Sequence, residues 1–101
     1  RIAQEIAIEE TRDYKIRLNS KLEELHIQLN QYKESLTYYE QEGKSLSDEI
    51  FKTANGSFKN GEIDFYQYIQ SLESAYNIKL DYLEKLNQYN QIIIAINYLT
   101  L

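Results

Sequence analysis

The fold of this 101-residue chain is decided by one stretch, Asn55-Gly56-Ser57-Phe58-Lys59-Asn60-Gly61-Glu62-Ile63-Asp64. The stretch holds both Asn-Gly dipeptides and two of the three glycines of the sequence. Asparagine and glycine tolerate a positive φ, and a glycine directly after a helical run commonly ends the helix. We therefore predict a turn over residues 55–63 between two helices, with Gly56 as the residue that ends the first.

The second helix is predicted to begin at Asp64. The Asp64 carboxylate can accept a backbone N–H of the first helical turn, and Gln67 stands at the reciprocal position of a capping box. Glu62 and Asp64 also lie at the positive end of the helix dipole, where negative charge is favoured. Residues 64–99 are thus predicted to form a helix that returns antiparallel to the first.

The residues before the turn predict one long helix over positions 1–54. Apolar and small residues recur there in steps of four and three, which is typical of a helix packed along a coiled-coil seam. Gly43 falls in this seam, at a cost of about 1 kcal/mol of helix propensity relative to alanine. Two interpretations of Gly43 stay open, a close backbone approach and a local bend. The seam positions are Ala7, Thr11, Tyr14, Leu18, Leu22, Leu25, Leu29, Tyr32, Leu36, Tyr39, Gly43, Leu46 and Ile50.

The returning helix carries two adjacent seams. The first consists of Phe65, Ile69, Leu72, Tyr76, Leu83, Leu86, Asn90, Ile93 and Asn97, with Lys79 as its one charged member. The second passes through Tyr68, Ala75, Tyr82, Tyr89 and Ile96 and shares Leu72, Leu86 and Ile93. A helix with two seams contacts two neighbours, so we expect lateral partners. At 1.5 Å per residue, Leu99 should lie level with Leu18, which leaves residues 1–17 without a partner in the chain.

Composition and residue chemistry exclude several functions. A net charge of −5 argues against a nucleic-acid surface, and the absence of cysteine excludes thiol chemistry. His26 is the only histidine, whereas a metal site needs several convergent ligands. Catalytic carboxylate pairs need a cleft that a single hairpin does not offer. We expect no enzyme activity, cofactor or metal site. Because Arg1 lies within the helical pattern, we also expect the chain to be a piece of a longer protein.

The turn and the returning helix resemble the TolC family of outer-membrane efflux proteins. Phe58-Lys59-Asn60-Gly61-Glu62-Ile63 is similar to the F-x-x-G-E-I turn of that family. The pattern of residues 82–99 resembles the closing helix of its heavy-metal (CusC- or CzcC-like) branch, which in some Bacteroidetes is fused to an RND transporter. The resemblance covers essentially the whole chain. It implies an all-α fold, a long antiparallel two-helix coiled-coil hairpin, as part of a trimeric α-helical barrel that crosses the periplasm.

The resemblance also implies partners and residue roles. The tip would contact the periplasmic adaptor, the membrane fusion protein of a tripartite pump that includes an RND inner-membrane transporter. The outer membrane would be reached only through β-barrel segments outside this chain. Gln67 and Gln70 would line the entrance. The matching gate positions are aspartates in TolC itself, so the resemblance does not extend to an acidic, cation-selective ring. The residues expected at the adaptor contact are Phe58, Lys59, Gly61, Glu62 and Ile63.

Two other functions are compatible with the residues. One is a stand-alone coiled-coil scaffold or the hairpin of a membrane-fusion-protein adaptor, which lipoyl-like segments on both sides of the hairpin would favour. The other is a metal-responsive binding module, which stoichiometric metal binding would favour.

Overall fold

A computed structural model describes all 101 residues as an antiparallel helical hairpin that measures 85 × 23 × 16 Å. The long arm consists of helix α1 (Ile2–Tyr38), a π-helical turn (Tyr39–Gly43) and helix α2 (Lys44–Lys59). The returning arm is helix α3 (Phe65–Leu99), and both α1 and α2 pack along it. The chain therefore has the all-α hairpin architecture that the sequence predicts. None of its helices combines the length and apolar character needed to cross a membrane.

The first arm does not end where the sequence predicts. It continues through Gly56 and stops at Lys59, so Gly56 is an interior helical residue and does not end the helix. Gly61 has that role instead, with a φ of +74°. The Gly61 N–H donates to the Phe58 oxygen at 3.1 Å, and the Glu62 N–H donates to the Ser57 oxygen at 2.8 Å. These two bonds form a Schellman motif, which satisfies carbonyls at the helix end.

The helix passes Gly56 because the following turn is anchored by contacts with α3. Ala54 is buried, and the ring of Phe58 stacks on that of Tyr68. An interior glycine costs a helix only about 1 kcal/mol, which contacts of this kind outweigh. The connection between the arms is thereby shortened to residues 60–64.

Asp64 and Gln67 form a capping box at the start of α3. The Gln67 N–H donates to Asp64 Oδ1 at 2.7 Å, and the Asp64 N–H donates to Gln67 Oε1 at 3.0 Å. Two backbone donors that the helix leaves without partners are satisfied in this way. The turn is therefore fixed on both sides, by the Schellman motif of α2 and by the capping box of α3.

The π turn changes which side chains of the long arm face α3. Up to Gly43, the buried and half-buried residues follow the predicted steps, beginning at Leu18. The Lys44 N–H donates to the Tyr39 oxygen, so this turn contains one residue more than an α-helical turn. The next buried residue is consequently Ser47, whereas Leu46 is 51% exposed. The predicted seam position of Leu46 is therefore wrong by one residue.

Gly43 is needed because of the side chain of Tyr39. A Cβ on Gly43 would lie 2.8 Å from Tyr39 Cδ2, inside any normal contact distance. The Tyr39 ring in turn stacks on Tyr82 of α3, with the ring centroids 4.1 Å apart and the planes at 18°. The close contact at Gly43 is thus with a ring of its own arm, and the helix irregularity is a π turn.

Of the two predicted seams of α3, the second lies within the hairpin. Its members Tyr68, Ala75, Tyr82, Tyr89 and Ile96 are all buried or half-buried. Five members of the first seam are exposed, namely Phe65, Tyr76, Leu83, Asn90 and Asn97. Every residue of the segment 1–17 is exposed as well, in agreement with the predicted overhang of the first helix.

Candidate functional site

The end of the hairpin is built around three aromatic rings. Phe58 stacks on Tyr68 with a centroid distance of 4.6 Å, and Phe65 lies 6.2 Å from Phe58 at a tilt of 59°. The Tyr68 hydroxyl donates to Asn55 Oδ1 at 2.6 Å. Phe58, which is 40% exposed, therefore holds the two arms together and still shows part of its ring to the outside.

The remaining predicted tip residues surround the positive-φ glycine. Lys59, Gly61 and Glu62 are exposed, and Ile63 is half-buried. Lys59 is the last residue of α2, where a positive charge is favoured by the negative end of the helix dipole. The structure thus brings the five predicted tip residues together at one end of the 85 Å hairpin, and two of the five, Lys59 and Glu62, are exposed and charged.

Gln67 and Gln70, the two predicted entrance residues, lie one turn apart on the same exposed side of α3. The Gln67 oxygen is already used by the Asp64 N–H, so its free amide hydrogens remain as donors. The Gln70 backbone oxygen accepts a bond from the Ser74 hydroxyl at 3.2 Å, and its side chain is exposed. This side of the tip offers uncharged hydrogen-bonding groups.

A shallow groove, which the sequence does not predict, runs along one side of the hairpin. Beside the π turn it encloses about 570 Å³ between residues that include Tyr38, Leu46 and Ile78. Nearer the tip it encloses about 510 Å³, and Leu46 again lines it, together with Ile63. The groove escapes sequence analysis because the extra residue of the π turn moves Leu46 out of the seam and onto this side.

Charged side chains border the hairpin seam at two places. Lys79 Nζ lies 4.9 Å from the centre of the Phe51 ring and 4.0 Å from Asp48 Oδ1. Lys85 Nζ donates to Asp81 Oδ1 at 2.8 Å, and this hydrogen bond raises the pKa of Lys85. Lys79, the one charged residue that the sequence places in a seam, is accommodated because its ammonium group contacts both an aromatic face and a carboxylate.

No three His, Cys, Asp or Glu side chains lie in a group that could hold a metal ion. His26 is exposed on α1, beside the exposed Ile27. The features that stand out on the surface are the tip, the groove and the exposed seam of α3.

Compared with models of known protein families, with curated proteins and with solved structures, the chain matches none of them.

Proposed function

We propose that this chain is a periplasmic hairpin of a TolC-like outer-membrane efflux channel in a Gram-negative bacterium. The hairpin would form part of the wall of a trimeric α-helical barrel, and its tip would dock the periplasmic adaptor of a tripartite pump with an RND transporter. The observation that carries this proposal is the position of the F-x-x-G-E-I residues. They form the tip of a long hairpin, where Gly61 adopts the positive φ that the turn requires.

The tip has the properties of a preformed docking surface. The Schellman motif, the capping box and the stack of Phe58 on Tyr68 fix its conformation before any partner arrives. A surface that is already ordered loses little conformational entropy on binding. Lys59 and Glu62 are exposed beside it, and their opposite charges can set the register of a partner with complementary charges.

The long faces of the hairpin have the properties of a barrel wall. The chain exposes 8180 Å² of surface, whereas a compact protein of 12.0 kDa exposes about 6,000 Å². Part of the exposed surface is apolar, because the first seam of α3 carries Phe65, Tyr76 and Leu83 on the outside. Neighbouring helices on both sides would cover it. In such an assembly the hairpin acts as a passive wall, and opening is a sliding of packed helices that uses no cofactor.

The resemblance of residues 82–99 to the heavy-metal branch favours metal ions or other cations as the exported substrates. The uncharged Gln67 and Gln70 at the entrance would provide hydrogen bonds to a hydrated ion. They would not attract cations electrostatically, so selection would depend on the transporter and the adaptor.

Site-specific photo-crosslinking in cells tests the proposal. A photoreactive amino acid is placed at Glu62, which is exposed at the tip, and in a control variant at Lys33, which is exposed on α1. We expect capture of a periplasmic adaptor from position 62 and not from position 33. Capture of cytosolic proteins, or of copies of this chain alone, would refute the channel assignment and favour a coiled-coil scaffold.

A further inference from the structure

One asparagine of the chain differs from all the others in its backbone environment. Of the eight asparagines, seven lie within α1, α2 or α3, whereas Asn60 follows the last residue of α2 and lies outside every helix. Asn60 is exposed, and Gly61 follows it. The other asparagine that precedes a glycine is Asn55, in front of Gly56. The chain thus contains the same dipeptide in two structural settings, one in a turn and one in a helix.

An Asn-Gly dipeptide can convert its side-chain amide to a carboxylate without an enzyme. The deprotonated backbone nitrogen of the glycine attacks Cγ of the asparagine, a C–N bond forms, and the side-chain amide leaves as ammonia. Water then opens the resulting succinimide ring, to aspartate if the bond to Cγ breaks and to isoaspartate if the bond to the former backbone carbonyl carbon breaks. Asparagine and water thus give a carboxylate and ammonia, with no oxidant or other reactant. Glycine favours the reaction because it has no side chain beside the attacking nitrogen and its backbone rotates freely.

The helix around Asn55 opposes this reaction. The ring closes only if the peptide group between the two residues rotates, and here both Asn55 and Gly56 belong to α2, which continues to Lys59. The preceding residue, Ala54, is buried, and the side-chain oxygen of Asn55 accepts the Tyr68 hydroxyl at 2.6 Å. Ring closure at Asn55 therefore requires local unfolding of the end of the arm.

The peptide group between Asn60 and Gly61 is held less firmly. Its rotation breaks the bond from the Gly61 N–H to the Phe58 oxygen, which is 3.1 Å long. The bond from the Glu62 N–H to the Ser57 oxygen would be lost with it. Residues 60–64 belong to no helix, so the arms of the hairpin need not unfold. A Cβ at the glycine of either dipeptide would meet no atom within 4 Å, so the two settings differ in the backbone and not in crowding.

We propose that Asn60 is a site of spontaneous deamidation and that the fold protects Asn55, in the identical dipeptide, from the same reaction. The product has a carboxylate at the C-cap of α2, where the helix dipole disfavours negative charge, and the tip already exposes the carboxylates of Glu62 and Asp64. Isoaspartate also adds one carbon atom to the main chain of the turn. Modification therefore changes both the charge and the backbone of the tip. The inference goes beyond the proposed function, because it concerns the chemistry of the tip whatever partner docks there.

Incubation of the folded 101-residue chain in mildly alkaline buffer tests the assignment. Water labelled with heavy oxygen is present only during the incubation, so products formed from the folded chain carry the label and products formed during the later digestion do not. Trypsin cleaves after Lys52 and Lys59, which places Asn55 and Asn60 in different peptides, and mass spectrometry measures the conversion of each. A parallel sample in concentrated urea gives the rates for the unfolded chain. Asn60→Gln is the matched control, because it keeps an amide that would have to close a larger, less favourable ring.

We expect Asn60 to be converted at least about tenfold faster than Asn55 in the folded chain, because Asn55 reacts only after local unfolding. In urea the two residues should be converted at similar rates, since the helix no longer protects Asn55. The folded Asn60→Gln chain should release little ammonia. Equal rates at the two residues in the folded chain, or an unconverted Asn60 in the folded chain when the unfolded chain has reacted, would overturn the proposal. No adaptor is present in these samples, so failure here would leave adaptor capture from position 62 unaffected.

Discussion

The hydroxyl of Ser47 donates a hydrogen bond to the backbone oxygen of Ala75 at 3.2 Å, and both residues are completely buried. A short side chain can reach the backbone of a neighbouring helix only where the two helices lie close together, and helix separation follows the size of the side chains at the contact. The pair therefore marks a close approach of α2 to α3. It also fixes which side of α2 faces inward, because Ser47 occupies the place that an uninterrupted heptad would give to Leu46.

Substitutions at Leu46 and Ser47 should change the free energy of unfolding in an order that hydrophobicity alone does not predict. Adding an apolar side chain at Ser47 should cost more than removing one at Leu46. Ser47→Leu inserts a large side chain at a fully buried contact and should destabilise the hairpin by about 1–3 kcal/mol. Leu46→Ser removes an apolar side chain that is half exposed and should cost less than about 1 kcal/mol. Denaturant unfolding in dilute solution, followed by circular dichroism, measures both. A larger cost for Leu46→Ser would show that the heptad continues without the π turn.

Replacement of Gly43 tests whether the Tyr39 ring is the reason for this glycine. Gly43→Ala gains about 1 kcal/mol of helix propensity. The added methyl group would also lie 2.8 Å from Tyr39 Cδ2, and the ring cannot retreat without losing its stack on Tyr82. Overpacking of this kind typically costs about 1–3 kcal/mol, so we expect Gly43→Ala to lower the free energy of unfolding.

The same substitution in a Tyr39→Ala chain shows whether the Tyr39 ring is the cause of the destabilisation by Gly43→Ala. In a Tyr39→Ala chain, Gly43→Ala should raise the free energy of unfolding by about 1 kcal/mol, because only the gain in helix propensity remains. If Gly43→Ala is equally destabilising with and without the Tyr39 ring, the interpretation of this contact is incorrect.

The two glycines of the predicted turn should respond differently to alanine. Gly56 is helical, and a methyl group added there would meet no atom within 4 Å, so alanine should stabilise the chain by about 0.5–1 kcal/mol. At Gly61, whose φ is +74°, alanine should destabilise it by about 1–2 kcal/mol. Thermal unfolding of the two variants at one protein concentration measures the difference, and equal effects would contradict the placement of the helix end at Lys59.

The capping box at the start of α3 should behave as a coupled pair. Asp64→Ala should cost about 1 kcal/mol, because it removes the acceptor for the Gln67 N–H. Gln67→Ala removes the bond to the Asp64 N–H and should cost less. A double-mutant cycle measures their coupling by denaturant unfolding. Strictly additive effects would indicate that the two bonds form independently.

Much of the fold is readable from the sequence because it depends on local signals. The steps of four and three predict the seam from Leu18 to Gly43, and the exposure of residues 1–17 follows from the unequal lengths of the two helices. Asp64 and Gln67 have the spacing of a capping box, and the structure contains one. The two adjacent seams of α3 are also visible in the sequence, although only the structure shows that the one through Ala75 faces the long arm.

The remaining features depend on contacts between residues far apart in the chain. Both Asn-Gly dipeptides have the same local preference for a turn, and the packing of Phe58 on Tyr68 decides that the second one is used. The π turn likewise begins at Tyr39, whose ring stacks on Tyr82 of the other arm, and a pattern within one helix cannot reveal this contact. The groove is missed for the same reason, because the π turn determines which side of α2 lines it.

The π turn also has a consequence for the comparison of this chain with other hairpins. The bond from the Lys44 N–H to the Tyr39 oxygen closes a turn that contains one residue more than an α-helical turn. The extra residue lengthens the sequence of the arm, but it does not add another inward-facing position. A related hairpin with an uninterrupted helix would reach the same tip with one residue fewer. In an alignment of the two hairpins, a single-residue gap would fall within Tyr39–Gly43. In the uninterrupted helix, the residue aligned with Ser47 would then occupy the next inward-facing heptad position after the residue aligned with Gly43.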